Sequence, residues 1–163
     1  MTRDNRNMAD DPNAQNQPIA PRIKTTRQPE LLERVGGREV IERVVDTFYD
    51  KVEADEELRP MFPEDLGPGR EKQKLFLEQW LGGAPRYSEQ YGHPRLRRRH
   101  FPFEITERGA GRWLRHMIQS FRDHDVPEPE IAEIVAVFGP MAKHMVNADD
   151  DVPRDPIGDA FLT

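Results

Sequence analysis

The sequence predicts an all-α domain. Three observations lead to this prediction: apolar residues recur at helical spacing in several segments, glycine and proline separate those segments, and long alternating strand patterns are missing. The chain has 163 residues, which fits one domain of ordinary size. Because only 36% of the residues are hydrophobic, we expect the apolar residues to be concentrated in part of the chain.

The first long helix is predicted over residues 38–54. Its apolar residues, from Val40 to Val52, fall on one stripe of a helix. A short helix over residues 30–35 is expected to precede it, and Gly36 and Gly37 separate the two.

Two further helices follow from similar patterns. An amphipathic segment over residues 70–81 stops at Gly82 and Gly83, which is typical of a helix C-terminus. Thr106 can cap the first turn of a third long helix, which we expect to end within residues 123–127.

The fourth long helix is predicted to begin near Pro129, since proline is tolerated in the first turn. Apolar residues from Ile131 to Val146 would face inward. Gly139 and Pro140 fall inside this pattern. Because an interior proline costs about 3 kcal/mol or more, the helix is predicted to be bent or restarted there.

Both ends of the chain differ from this region. Residues 1–28 are rich in Asn, Asp, Gln and Pro and are predicted to be a flexible arm, and residues 149–163 a flexible tail. The domain is therefore expected over residues 29–148. No signal-like segment is found, and the longest apolar stretch, Ile134–Phe138, is far shorter than the roughly 20 residues that span a bilayer. A soluble cytoplasmic protein without membrane contact is the simplest interpretation.

Composition excludes several kinds of site. The chain has no cysteine, which rules out thiolate metal sites, iron–sulfur clusters and cysteine nucleophiles. The net charge of -6 disfavours a general affinity for nucleic acid. Histidine, carboxylates and other oxygen donors remain as candidate ligands.

The segment over residues 84–103 has little periodic apolar content, and such a long irregular segment inside a compact domain usually serves a site. It contains the basic run Arg95–Arg99 followed by His100. A lone histidine is more often a surface or core residue than a ligand. The basic run fits a solvated face, a nucleic-acid patch or a counter-charge for anionic groups. The residues alone leave these alternatives open.

A family resemblance offers a way to choose between them. Residues 76–105 read FLEQWLGGAPRYSEQYGHPRLRRRHFPFEI and resemble the signature of the group II truncated haemoglobins. The likeness covers about residues 30–148 and includes three further matches in order: Val35-Gly36-Gly37, Phe48-Tyr49 before Asp55-Glu56, and Arg112-Trp113-Leu114-Arg115. The resemblance implies a two-on-two helical sandwich around a haem b.

The resemblance also implies which residues hold the haem. His100 matches the proximal residue that bonds the iron. Arg99 and Tyr87 match residues that bind haem propionates, whereas simple solvation is the preferred interpretation of Arg95, Arg97 and Arg98. The other implied haem contacts are apolar or aromatic: Phe62, Phe76, Leu96 and Phe103. His93, His116, His124 and His144 match no family role and are expected to be surface residues or helix neighbours.

Three residues match positions that stabilise a ligand on the distal side of the haem, and we call them the distal residues: Tyr49, Gln73 and Trp113. For Tyr49 the competing interpretation is a core tyrosine bonded to a backbone carbonyl. For Trp113 it is ordinary packing between helices. Gly69 aligns to a distal position that is small in many relatives.

Several donors around one ligand predict slow release of dioxygen, which favours redox chemistry or sensing over bulk oxygen delivery. Dioxygen, nitric oxide and carbon monoxide are the expected ligands, and an unidentified reductase is an expected partner. Activity as a haem-dependent oxidoreductase, peroxidase-like or nitric oxide dioxygenase-like, is left open, as is the choice between monomer and homodimer. The alternative hypothesis is a haem-free helical module that binds an acidic partner through Arg95–His100.

Overall fold

The computed structural model describes residues 30–150, and these residues form helices and no strand. Four long helices carry the architecture and shorter ones connect them. In chain order, the elements are α1 (Leu31–Arg34), α2 (Arg38–Ala54), a 3-10 turn (Arg59–Met61), α3 (Gly67–Trp80), α4 (Arg86–Tyr91), α5 (Leu96–His100), α6 (Glu107–Asp123) and α7 (Glu128–Met145). The all-α prediction is confirmed.

The long helices pack as two pairs. Helix α2 packs against α3, α6 packs against α7, and the pairs meet through α2 and α6. The core between them is apolar, with Phe48, Phe121, Phe138, Leu77 and Met117 all at most 1% exposed. This is the two-on-two arrangement that the resemblance implies.

Local sequence signals account for most helix ends. Helix α2 has the predicted bounds, and the hydroxyl of Thr106 accepts a hydrogen bond of 3.0 Å from the Gly109 N–H, capping α6. Helix α3 begins at Gly67 rather than at residue 70, because Pro68 is accommodated in its first turn, where a missing N–H costs little.

Helix α7 runs from Glu128 to Met145 through Pro140 without interruption. Of the two predicted outcomes at this proline, a restart is therefore wrong. Phe138 on one side of the proline is buried, and Met141 on the other packs against the core, so apolar contacts hold both halves in one helix. This packing offsets the hydrogen bond that the proline cannot make.

The irregular segment over residues 84–103 contains α4 and α5. Both helices are too short to show an apolar period, which is why the sequence does not reveal them. Helix α5 packs against α7. The chain beyond α5 is fastened by Asn147, whose Oδ1 accepts from the Ile105 N–H at 2.9 Å and whose Nδ2 donates to the Phe103 carbonyl at 2.8 Å.

The predicted flexible arm over residues 1–28 lies outside the described residues, and so does the predicted tail beyond Asp150. In the described part of the chain, no helix combines the length and the apolar character needed to span a membrane.

Candidate functional site

His100 is the last residue of α5 and is half-buried. Its Nδ1 lies 2.6 Å from the carbonyl oxygen of Leu96, one turn earlier. A carbonyl oxygen can only accept, so Nδ1 carries the proton and donates it. Nε2 then has a free lone pair, and within residues 30–150 it makes no hydrogen bond. This is the tautomer of a histidine that binds a metal through Nε2.

The donor set around His100 fits iron held in a porphyrin. Residues 30–150 contain no group of three or more His, Asp or Glu side chains that could hold a metal ion. A haem iron would need only one nitrogen from the protein here, because the porphyrin would supply its other nitrogen ligands.

The backbone of His100 is fixed from the end of the domain. Its carbonyl oxygen accepts from the Phe103 N–H at 3.0 Å and from the Asn147 side-chain amide at 3.4 Å. Asn147 was not among the predicted site residues. It lies 47 residues from His100, and nothing in its local sequence indicates a role in holding α5.

Tyr49 lies on α2 and is 4% exposed. Its ring packs edge-on against Phe48 and Phe62, with centroids 5.4 and 6.1 Å away. No hydrogen bond to the Tyr49 hydroxyl is formed within the described residues, so the structure lacks the backbone bond of the competing interpretation. Burial raises the pKa of the Tyr49 phenol, partly opposed by the charge of Arg70, so the hydroxyl stays protonated and can donate.

Trp113 lies on α6 and is half-buried. Its ring lies 5.6 Å from the Phe48 ring and 6.1 Å from the Phe138 ring, so it does pack between helices. Its indole nitrogen makes no hydrogen bond to any residue in the described range, which leaves the N–H available as a donor. Packing and a donor role are therefore compatible.

Gln73 lies on α3, one turn after Gly69 and on the same face. A Cβ at Gly69 would lie 2.9 Å from the Tyr49 hydroxyl oxygen, so this face is turned toward Tyr49. The half-buried Gln73 side chain has no hydrogen-bond partner among residues 30–150. The three distal residues thus come from α2, α3 and α6, and each has an unpaired polar group.

Arg99, Tyr87 and Phe76 form a second group of predicted site residues. The Arg99 guanidinium lies over the Tyr87 ring at 5.9 Å, and the Phe76 ring meets Tyr87 edge-on at 5.6 Å. Arg99 Nε donates to the Pro94 carbonyl at 2.8 Å and Nη2 to the Tyr91 carbonyl at 3.0 Å. These bonds hold the guanidinium in place and leave Nη1 without a partner in the described part of the chain.

The remaining predicted site residues lie beside one of these groups. Phe62 packs against Phe48 as well as Tyr49, with ring centroids 6.5 Å apart for the first pair. Leu96 begins α5, and Phe103 follows it in the segment fastened by Asn147. Within residues 30–150, no hydrogen bond or ring contact joins His100 to a distal residue.

The basic residues before His100 differ in their contacts. Arg97 donates to the His144 carbonyl and so ties α5 to α7. Arg95 and Arg98 are exposed and form no ion pair within the described range. Exposure of these two side chains is what simple solvation predicts.

A buried carboxylate at the end of α2 was missed by sequence reasoning. Asp55 accepts three hydrogen bonds from Arg112, one from Nη2 at 2.8 Å and two from Nε at 3.0 and 3.2 Å, and one from His116 at 2.6 Å. Together with the Glu57 and Leu58 N–H groups, these donors hold the pKa of Asp55 well below its usual range, Arg112 having the largest effect. These bonds join the end of α2 to α6, and one of them is made by Arg112, the residue before Trp113. His116 therefore has a structural role.

Comparison with known proteins shows the family of this chain. The model of the bacterial-like globin family matches residues 30–147, and the chain belongs to that family. It is 47% identical over 121 residues to the group 2 truncated hemoglobin YjbI of Bacillus subtilis, covering 72% of this chain and 89% of that protein.

Solved structures are similar over the same region. The group II truncated hemoglobin of Bacillus anthracis matches with a TM-score of 0.73 and 42% identity, covering 77% of this chain and 98% of that one. A truncated oxygen-avid haemoglobin from Bacillus subtilis matches with a TM-score of 0.69 and 39% identity, covering 73% and 100%.

Within the globins, these matches make the chain a group II truncated haemoglobin. It binds haem b, with its iron, and diatomic ligands such as dioxygen. The hypothesis of haem binding is confirmed over that of a haem-free interaction module.

Proposed function

We propose that this globin holds dioxygen tightly, releases it slowly, and uses it in redox chemistry rather than in oxygen delivery. The observation that carries the proposal is the set of unpaired donors on Tyr49, Gln73 and Trp113. The oxygen-avid haemoglobin from Bacillus subtilis, which is similar over most of this chain, supports the same direction.

A hydrogen-bond donor that no protein group uses is available to a bound ligand. Most of the Tyr49 side chain is buried among aromatic rings, and its hydroxyl has no hydrogen-bond partner within residues 30–150. A ligand that carries partial negative charge would accept a hydrogen bond from the Tyr49 hydroxyl. Each such bond slows ligand release, so two or three donors produce a ligand that leaves slowly.

We assign the haem-holding roles as follows. His100 would bond the iron through Nε2, and its hydrogen bond to the Leu96 carbonyl orients the imidazole ring. When bound, the haem supplies an iron that takes up diatomic ligands. Arg99 and Tyr87 bind the propionates, since a guanidinium pairs well with a carboxylate. Apolar and aromatic side chains enclose the porphyrin: Phe62, Phe76, Leu96 and Phe103.

Slow release suits reactions in which dioxygen is consumed before it can leave. Nitric oxide and dioxygen combine to nitrate with the uptake of one electron, and reduction of peroxide also consumes electrons. A reductase is therefore a required partner. In both reactions the distal residues would hold the oxygen-containing reactant and stabilise its negative charge by donating hydrogen bonds.

The test compares dioxygen dissociation by stopped flow in the wild type, Tyr49→Phe and Gln73→Leu. Loss of one hydrogen bond to a charged acceptor, about 1.5 to 3 kcal/mol, predicts about 10- to 150-fold faster release from Tyr49→Phe. Tyr91→Phe is the matched control, because it removes a tyrosine hydroxyl outside the distal residues. Unchanged dissociation in both distal variants would remove the basis for tight binding, and no nitrate formation from nitric oxide would exclude that reaction.

A further inference from the structure

Arg70 lies directly over the ring of Tyr49. Its guanidinium carbon is 5.4 Å from the ring centroid. The guanidinium is held there by two carboxylates of α2, with Nη1 3.5 Å from Asp46 and Nη2 3.2 Å from Asp50. Lys74, one turn further along α3, also pairs with Asp46 at 2.9 Å. These contacts fasten the start of α3 to the part of α2 that carries Tyr49.

Gly69, the residue before Arg70, determines the space around the Tyr49 hydroxyl. A Cβ at Gly69 would lie 2.9 Å from the Tyr49 hydroxyl oxygen, a distance at which something must move. The hydroxyl therefore lies against the backbone of the first turn of α3. Gly69 leaves it room, while Arg70 covers the face of the ring.

We propose that Arg70 is a positioning residue for Tyr49, holding the phenol in place and shielding it from water so that its hydroxyl can donate to a ligand. This inference rests on the proposed role of Tyr49 in ligand binding. Tyr49 is buried although Gly69 and Asp50 beside it are exposed, which is consistent with cover by the Arg70 side chain.

Electrostatics adds to the positioning. A guanidinium over an aromatic face is attracted to the ring. The ion pairs with Asp46 and Asp50 keep the Arg70 guanidinium in this position. Its positive charge lowers the pKa of the Tyr49 phenol against the larger, opposite effect of burial. The pKa of the Tyr49 phenol stays above its ordinary value overall, and the charge of Arg70 makes the O–H a stronger donor than it would be beside a neutral side chain.

The experiment replaces Arg70 in the haem-loaded full chain by Arg70→Met, which keeps an unbranched side chain without charge. Arg34→Met is the matched control. Arg34 is similarly exposed, 27% against 29%, and also pairs with two carboxylates, Glu130 and Glu133, but it has no contact with Tyr49. The readouts are the dioxygen dissociation rate, the C–O stretching band of the carbon monoxide complex, and the melting temperature.

We expect Arg70→Met to release dioxygen about 2- to 5-fold faster and to shift or broaden the C–O band. Arg34→Met should lower the melting temperature without either effect. Gly69→Ala is a second variant, since its methyl group would meet the Tyr49 hydroxyl; it should also shift the C–O band. In a Tyr49→Phe background, neither Arg70→Met nor Gly69→Ala should have a further effect on the band.

The outcomes separate the two proposals. If Tyr49→Phe alone leaves dissociation and the C–O band unchanged, the proposed role of Tyr49 fails and this inference fails with it. If Tyr49→Phe changes both but Arg70→Met matches Arg34→Met, only the inference about Arg70 is overturned. An Arg70→Met effect that persists in the Tyr49→Phe background also overturns it, because Arg70 would then act on the pocket directly.

Discussion

Trp113 offers the sharpest separation of a ligand donor from ordinary helix packing. Its ring contacts Phe48 and Phe138, while its indole N–H is unpaired within residues 30–150. Trp113→Phe keeps an aromatic ring between these neighbours and removes the donor. The substitution therefore tests the hydrogen bond with little change in packing.

The size of the effect follows from the bond that is lost. A hydrogen bond to a ligand worth about 1 to 3 kcal/mol predicts dioxygen release about 5- to 150-fold faster. Carbon monoxide is a poorer hydrogen-bond acceptor than dioxygen, so its dissociation rate should change less. Trp113 is only half-buried, and we expect most of the folded protein to be retained.

Stopped-flow dissociation of both gases, with a thermal melt of each protein, provides the comparison. A large change for dioxygen with a small change for carbon monoxide is the expected result. Equal and small changes for both gases, together with a lower melting temperature, would refute the donor role and reduce Trp113 to a packing residue.

Three further predictions concern stability and the extent of the domain. Asp55→Asn should lower the free energy of unfolding at pH 7 by about 1.5 to 3 kcal/mol, because Arg112 loses its charged acceptor. The pKa of Asp55 is lower in the folded protein than in the unfolded chain, so Asp55 stabilises the fold above its ordinary pKa of about 4 and loses this effect as the pH falls below it. Urea titrations that show the same difference in unfolding free energy between wild type and Asp55→Asn at every pH would contradict this. Gly83→Ala should lower the free energy of unfolding by about 1 to 3 kcal/mol in the same titrations, because its Cβ would lie 2.7 Å from the Glu78 carbonyl oxygen. An unchanged urea midpoint would mean that the chain around Gly83 has more space than the structure shows. A chain of residues 29–148 alone should keep the haem absorption spectrum of the full chain, and loss of haem would show that one of the removed ends belongs to the domain.

Long amphipathic helices were the most predictable part of the fold. Helix α2 was predicted with its bounds, and the cap of α6 at Thr106 was predicted from one residue, because in both cases the signal is local. Helices α4 and α5 were not predicted, since their few residues show no apolar period. The unbroken course through Pro140 depends on packing against other helices, which a local rule does not contain.

For the site, the family resemblance predicts which residues take part, whereas the contacts that hold those residues in place could not be predicted from the sequence. The resemblance pointed to His100, Tyr49 and Trp113, and the structure leaves a polar atom of each unpaired within the described range. The bonds that hold these residues join distant parts of the chain. Asn147 reaches back to the segment after α5, and Arg112 reaches Asp55 across 57 positions, so neither was visible as a sequence pattern.

The central claim is that His100 bonds the haem iron, and the optical spectrum of His100→Ala tests it most directly. The variant should be purified after haem supplementation beside the wild type, with His93→Ala as a control, because His93 is an exposed histidine in the same segment. We expect His100→Ala to lose the Soret band of stably bound haem and His93→Ala to keep it. A normal Soret band and an unchanged ferrous spectrum in His100→Ala would contradict the assignment of the iron ligand.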